Sequence, residues 1–124
     1  MKLVHQTRFG TDGNCLAACI ASMLGCELGA VDFSCSEDPA AWDEIADAKV
    51  APFGFAFVHI GGRAFKIHRS GEALYIAHGP TLRSTQRHAV LHRAGELVHD
   101  PCPDGRGIVR LEQVSFLVPL RFTG

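Results

Sequence analysis

The sequence predicts an α+β fold in which helices come first and an antiparallel β-sheet follows. Two observations carry this prediction. Residues 15–50 place apolar side chains at helical spacing in two segments, whereas residues 54–120 form short β-branched and aromatic runs separated by glycine-containing turns. Helices and strands do not alternate along the chain, which argues against a parallel sheet. The 124 residues suffice for one hydrophobic core, so we expect a single domain over residues 1–124.

Two helices are predicted in the first half of the chain, after an extended lead-in. The first covers residues 15–25, with Asn14 as its N-cap and Gly25 as its stop. The second covers residues 39–50 and is opened by Pro39 at or near its first helical position.

Six short runs predict the strands of the sheet. They are rich in β-branched and aromatic residues and are punctuated along the chain by glycine-containing turns. The last run is strongly apolar, so we expect it at the centre of the sheet or covered by another element. The runs are residues 54–60, 63–68, 73–78, 88–93, 96–101 and 114–120.

Composition and charge exclude several classes of function. The chain is 47 % hydrophobic and 20 % charged with a net charge of -1, which is ordinary for a soluble globular protein and gives no reason to expect nucleic acid as a partner. Its apolar stretches are shorter than the ~20 residues that a membrane span needs, and residues 1–10 lack the apolar core of a secretory signal. We therefore expect a cytoplasmic protein that binds neither membranes nor nucleic acid.

A cysteine stands at the mouth of the first helix. Cys15 follows the turn-forming residues 12–14, where a helix N-terminus offers unpaired backbone N–H groups and a partial positive charge. Such a position favours the thiolate and can hold a developing oxyanion. Position alone fits equally well a small apolar residue that begins a buried helix.

The other thiols suggest a structural role. The chain has five cysteines, an odd number that argues against a disulfide scaffold. Cys19 lies one helical turn after Cys15, but structural zinc sites usually use tighter C-x-x-C pairs. We therefore expect Cys19, Cys26 and Cys35 to be core or loop thiols, and we expect no metal or other cofactor.

The run RHAVLHRAGELVHDP supplies a base and a carboxylate to orient it. If residues 93–95 form a three-residue hairpin loop, His88 lies opposite Asp100 with both side chains on one face of the hairpin. A two-residue loop would instead bring His88 opposite Pro101 and move Asp100 to the other face.

Other assignments of base and carboxylate remain open. The competing candidates are His92 as the base and Glu96 or Asp104 as the orienting carboxylate. The remaining histidines are expected to be solvated or hydrogen-bonded structural residues: His5, His59, His68, His78 and His99.

Residues 12–25 and 88–101 together resemble the papain-like cysteine peptidase superfamily. The order Cys15, His88, Asp100 is that of the superfamily, and the nearest pattern is that of the bacteriocin-processing (double-glycine leader) peptidases. The string DGNC is also similar to the one that opens the nucleophile helix of ovarian-tumour-type deubiquitinases. The resemblance implies a papain-like fold, with the nucleophile helix packed on the sheet. It also implies a triad that hydrolyses a peptide, isopeptide or amide bond through a thioester.

The resemblance also implies an oxyanion hole and a class of substrate. Gln6 corresponds to the family's oxyanion glutamine, but it lies nine residues before Cys15, a longer spacing than in the bacteriocin-processing pattern, so Asn14 or Asp12 are alternatives. The polar loop 78–87 is a candidate substrate lip, in which Arg83 and Arg87 either meet a substrate carboxylate or are simply solvated.

The expected partner is a peptide or protein substrate, or a small amide. The same residues would also fit an acyltransferase or a catalytically inactive binding module of this fold.

Overall fold

The computed structural model describes residues 2–61, 71–84 and 86–121. Two α-helices, α1 and α2, precede five strands, and four short 3₁₀ turns lie between or beside them. The helices are α1 (Cys15–Leu24) and α2 (Trp42–Val50), and the strands are β1 (Phe55–Ile60), β2 (Leu74–Gly79), β3 (His88–Arg93), β4 (Glu96–His99) and β5 (Gln113–Pro119). The 3₁₀ turns are Gly10–Asp12, Leu28–Ala30, Cys35–Glu37 and Ala51–Phe53.

The five strands form one antiparallel sheet with the order β1-β5-β2-β3-β4. The predicted α+β class is therefore confirmed. Strand β5 lies between β1 and β2, which confirms that the apolar run at residues 114–120 is central. The strand predicted at residues 63–68 lies outside the described residues.

Helix α1 fills the core on one face of the sheet. It ends at Gly25, whose φ of 70° is the left-handed conformation that glycine adopts at helix stops. Ala17, Ala18 and Ala21 are fully buried, and Cys19 is buried among them. These small side chains let the helix lie close to the strands. The burial of Cys19 confirms that it is a core thiol.

Helix α2 begins three residues later than predicted. Asp38 and Pro39 open a turn instead, closed by a 3.0 Å hydrogen bond from the Ala41 N–H to the Asp38 carbonyl. Asp is favoured at the first position of a β-turn and Pro at the second, so the same proline serves a turn as well as it would serve a helix start. The helix therefore begins at Trp42, and the predicted start at Pro39 was wrong.

The two faces of the sheet carry separate apolar clusters. Ile76 and Leu91 pack on the helix side, while their neighbours Tyr75 and Val90 pack on the opposite side. Ile108, in the segment that follows β4, covers this second side. The alternation follows from the period of two along each strand.

The β3–β4 hairpin differs from the predicted register. Its loop has two residues, Ala94 and Gly95, both with positive φ (53° and 82°), and Arg93 pairs with Glu96. A two-residue loop of this kind is the common type I′ hairpin turn. The predicted three-residue loop over residues 93–95 was therefore wrong, and the two-residue alternative is the one observed.

A β-bulge then restores the relation between the two strands. His92 pairs with Leu97, but the next residue, Leu91, pairs with His99, so Val98 is an extra residue on β4. One extra residue moves everything beyond it to the opposite face. Asp100 therefore returns to the side of His88, although the loop alone would have turned it away.

Candidate active site

The lead-in to α1 is organised around Asn14. This side chain is buried, and its Oδ1 accepts hydrogen bonds of 3.0 Å from the backbone N–H groups of Thr7 and Arg8. Its Nδ2 donates to Thr7 Oγ1 at 2.9 Å and to Asp32 Oδ1 at 3.1 Å. Both amide hydrogens are thus engaged, so the expectation that Asn14 could donate to an oxyanion was wrong. Asn14 instead fixes the loop from which Cys15 emerges.

Gln6 lies beside Cys15 in the same cavity. Its backbone N–H donates to the Pro101 carbonyl at 3.0 Å, which ties the lead-in to the end of the β3–β4 hairpin. Its Nε2 donates one hydrogen to the Arg8 carbonyl at 3.0 Å, and its second hydrogen has no acceptor among the described residues. Gln6 therefore lines the cavity of Cys15 and keeps one amide hydrogen without an acceptor among the described residues.

Asp12, the other alternative for the oxyanion hole, is bonded elsewhere. Its Oδ1 accepts a 2.8 Å hydrogen bond from the Ser36 hydroxyl. A carboxylate also repels an oxyanion, so Gln6 is the better placed of the two.

His88 and Asp100 form a direct hydrogen bond. His88 Nε2 lies 2.7 Å from Asp100 Oδ1, and both side chains are buried. Asp100 Oδ1 also accepts from the Cys102 N–H at 2.9 Å, and Oδ2 accepts from the Gly107 N–H at 2.8 Å. The carboxylate is therefore held by three donors, and it fixes the imidazole with Nδ1 as the nitrogen left for a reacting partner.

The charges of this pair are set by their contacts. Burial lowers the pKa of His88, but the hydrogen bond to Asp100 and the interaction with the Cys15 sulfur outweigh burial and raise this pKa to about 9. Burial raises the pKa of Asp100, and the bonds from His88, Cys102 and Gly107 outweigh it, so that this pKa is lowered overall. At neutral pH the imidazole is protonated beside an ionised carboxylate.

Cys15 and His88 lie together at the junction of two cavities. A cavity of about 380 Å³ is lined by Gln6, Cys15 and His88, and a second cavity of about 210 Å³ is lined by Cys15, His88 and Trp42. Cys15 is half-buried: it packs against the core cluster and also lines both cavities. A ligand could therefore extend from the thiol in two directions.

The other thiols differ from Cys15 in their surroundings. Burial, with a smaller contribution from the Cys15 sulfur, raises the pKa of Cys35 to about 12. Burial also raises the pKa values of Cys19 and Cys26. These three thiols stay protonated at neutral pH and are poor nucleophiles there.

The two arginines of the predicted substrate lip line the cavities and are ion-paired. Arg83 lines the larger cavity and pairs with Asp104, whereas Arg87 lines both cavities and lies 3.5 Å from Glu112. Both side chains are also solvent-exposed. Their position agrees with the predicted lip, and their acidic partners already occupy part of their charge.

The competing members of the triad lie elsewhere. Glu96 is exposed at the tip of the hairpin, and Asp104 is engaged by Arg83. His92 packs edge-on against Tyr75 and lines neither cavity. His99 Nε2 donates to the Val4 carbonyl at 2.7 Å, as expected of a structural residue.

Sequence reasoning missed two residues at the site. Trp42 and His78 both line the smaller cavity, although they come from α2 and β2. His78 was expected to be merely solvated or hydrogen-bonded, and it is indeed hydrogen-bonded, to Ser115. No local pattern marks either residue, because only the pairing of β2 with β5 and the packing of α2 bring them near Cys15.

Across the described part of the chain, no three His, Cys, Asp or Glu side chains come together in a way that could hold a metal ion. Within the described residues, no single helix is both long enough and apolar enough to cross a membrane. No protein-family model, curated protein or solved structure matches this chain.

Proposed function

We propose that the protein is a cysteine hydrolase with a papain-like fold, acting on a peptide, isopeptide or amide bond. The observation that carries the proposal is the 2.7 Å bond between His88 and Asp100, with the same imidazole and Cys15 in contact and lining the same cavities. A nucleophile, a base and a group that orients the base are the three parts that such catalysis needs.

The reaction begins at the Cys15 sulfur. The thiolate attacks the substrate carbonyl carbon, and the carbonyl π electrons move to oxygen to give a tetrahedral oxyanion. The first backbone N–H groups of α1 and the free amide hydrogen of Gln6 are the donors available for that oxyanion.

His88 moves the protons of the reaction. Its imidazolium donates a proton to the leaving amine as the carbon–nitrogen bond breaks, which leaves an acyl-thioester on Cys15 and a neutral imidazole. The imidazole then takes a proton from water as the water oxygen attacks the thioester carbonyl carbon, and the carbon–sulfur bond breaks to release the acid and restore the thiolate–imidazolium pair. Asp100 holds the ring in one orientation and stabilises its charged form throughout.

A protonated His88 also gives a reason to expect Cys15 to be the reactive thiol. With a pKa of about 9, His88 keeps its positive charge at neutral pH and favours the thiolate beside it. The Cys35 thiol lines the same cavities, but its pKa of about 12 keeps it protonated. The protein thus carries an internal reference for the test.

The test measures alkylation of each cysteine by iodoacetamide between pH 5 and 9, with site-resolved mass spectrometry. An unassisted thiol is only about 1 % thiolate at pH 6.5, so we expect Cys15 to react at least about tenfold faster than Cys35. His88→Ala should abolish this advantage, whereas His5→Ala, an exposed histidine outside the cavities, should preserve it.

Two results separate the proposal from its alternatives. Equal alkylation of Cys15 and Cys35 in the wild-type protein would overturn the catalytic interpretation and favour a binding module. If Cys15 is activated, a substrate screen with and without added amine distinguishes a hydrolase from an acyltransferase. A hydrolase transfers the acyl group of the thioester to water, whereas an acyltransferase transfers it to the amine.

A further inference from the structure

The smaller cavity beside Cys15 is lined by both apolar and polar side chains. Its walls include the Trp42 indole, Leu16 and Ala89, and His78 and Gln113 contribute polar groups. At about 210 Å³ it is smaller than the roughly 300 Å³ at which typical small-molecule sites begin. It has room for one side chain of a ligand held at Cys15 rather than for a separate cofactor.

A series of buried hydrogen bonds fixes which ring nitrogen of His78 carries the proton. His78 Nε2 lies 2.7 Å from the Ser115 hydroxyl, which lies 2.7 Å from His59 Nδ1. His59 Nε2 in turn lies 3.2 Å from Gln113 Oε1. Ser115 is fully buried between the two rings, so its single hydrogen must serve one of them and its oxygen the other.

The acceptor at the end of this series of hydrogen bonds sets which atom donates in each of them. Gln113 Oε1 can only accept, so His59 donates from Nε2 and accepts at Nδ1 from the Ser115 hydroxyl. Ser115 therefore accepts from His78, whose proton lies on Nε2. Burial holds the pKa of His78 down to about 3, so the ring is neutral and its Nδ1 is a bare acceptor.

His78 Nδ1 is the ring atom left for a ligand. It has no hydrogen-bond partner among the described residues. The fully buried side-chain atoms that lack a partner there are Gln6 Oε1 and His92 Nδ1, so His78 Nδ1 keeps some accessible surface. His78 as a whole lines the smaller cavity. A donor at the tip of a bound side chain could therefore reach it.

We infer that the smaller cavity is a specificity subsite for a tyrosine side chain, whose ring packs against Trp42 and whose hydroxyl donates to His78. The inference rests on the proposed function, since it places the substrate next to Cys15. The nearby Arg87 guanidinium disfavours a cationic tip, and a carboxylate has no hydrogen to donate to Nδ1. Small polar side chains lack the flat apolar surface that the cavity offers.

The test uses two haloacetamide probes with the same warhead. N-iodoacetyl-tyramine carries the phenol and N-iodoacetyl-phenethylamine lacks only its hydroxyl, so their rate ratio at Cys15 reports the hydroxyl alone. We expect the tyramine probe to react at least fivefold faster in the wild-type protein. A ratio within twofold of unity would overturn the subsite.

Variants assign the preference to the residues named. Ser115→Ala frees the proton of His78 to occupy either nitrogen and should bring the ratio to about two or less. Trp42→Ala should slow both probes, whereas Lys49→Ala, on the same helix but outside both cavities, should leave their rates unchanged. Circular dichroism establishes whether each variant is folded. If a variant is not folded, the ratio of the two probe rates at Cys15 in the wild-type protein still decides whether the subsite exists.

Plain iodoacetamide keeps the two proposals distinguishable. If Cys15 reacts with it no faster than Cys35, the hydrolase proposal fails, while the probe ratio still reports on the cavity. If Cys15 is activated by His88 but both probes react alike, the hydrolase proposal stands and the tyrosine subsite is wrong. Nitrogen chemical shifts of the His78 ring give an independent readout, since a proton on Nδ1 would contradict the acceptor role.

Discussion

Replacement of Asp100 by asparagine tests how the triad is held together. Asp100 Oδ1 accepts from His88 and from the Cys102 N–H, and Oδ2 accepts from the Gly107 N–H. Asparagine has the same shape but only one acceptor oxygen. If that oxygen faces His88, the new amide meets the Gly107 N–H; if it faces Gly107, the amide meets the His88 ring. Either orientation sets a donor against a donor.

The size of the effect follows from the charge that is lost. Without the carboxylate, burial acts on His88 with less opposition, so its pKa should fall from about 9 to 6.5 or below. At pH 7 the protonated fraction of the imidazole would drop from about 99 % to about 25 % or less. We therefore expect turnover at pH 7 to fall at least about fourfold from the loss of charge alone, and further because the ring is no longer held in one orientation.

The assay is an NMR titration of the His88 ring in the wild-type protein, Asp100→Asn and Asp104→Asn. Asp104 is the matched control, because it is a carboxylate of the same region that pairs with Arg83 and not with His88. We expect the pKa of His88 to fall by about 2 units or more only in Asp100→Asn. An unchanged His88 pKa in that variant would refute the view that Asp100 holds the imidazolium.

Two further predictions concern stability. The folded pKa of His88, about 9, exceeds its ordinary 6.5, so its contribution is full below pH 6.5 and is lost as the pH rises through 9. Urea unfolding should show the wild-type protein losing up to about 3 kcal/mol between pH 6.5 and 9.5 relative to His88→Ala, and parallel curves would contradict this. A Cβ on Gly79 would lie 1.9 Å from the Arg110 carbonyl oxygen, whereas one on Gly29 would meet nothing within 4 Å. Gly79→Ala should therefore cost about 3 kcal/mol or more and Gly29→Ala almost nothing in the same assay, and equal stability of the two variants would show that the Arg110 segment can move away.

The strands were the most predictable part of the fold. The run at residues 88–93 matches β3 at both ends, because an apolar run bounded by polar turns contains both the strand and its limits. The core position of Cys19 and the stop at Gly25 were equally local, since each depends on residues within one helix.

Features that depend on contacts between distant segments were not predictable. Asp38 and Pro39 fit a turn as well as a helix start, and only the packing of α2 decides between them. Likewise, Asn14 fits an N-cap, yet its amide bonds Thr7, Arg8 and Asp32. The sequence shows that such a residue forms hydrogen bonds without showing to which partner.

The pairing of His88 with Asp100 was predicted correctly from an incorrect register. The loop is one residue shorter than expected, which alone would send Asp100 to the far face, and the bulge at Val98 adds one residue and brings it back. Because side chains alternate with a period of two, the two shifts cancel in the face that Asp100 occupies. They do not cancel in position, since Asp100 lies beyond the last strand residue, His99, where its carboxylate also meets the N–H groups of Cys102 and Gly107. The bulge therefore places Asp100 on the face of His88, and the bonds that Asp100 accepts from His88, Cys102 and Gly107 lower its pKa, which favours a charged His88.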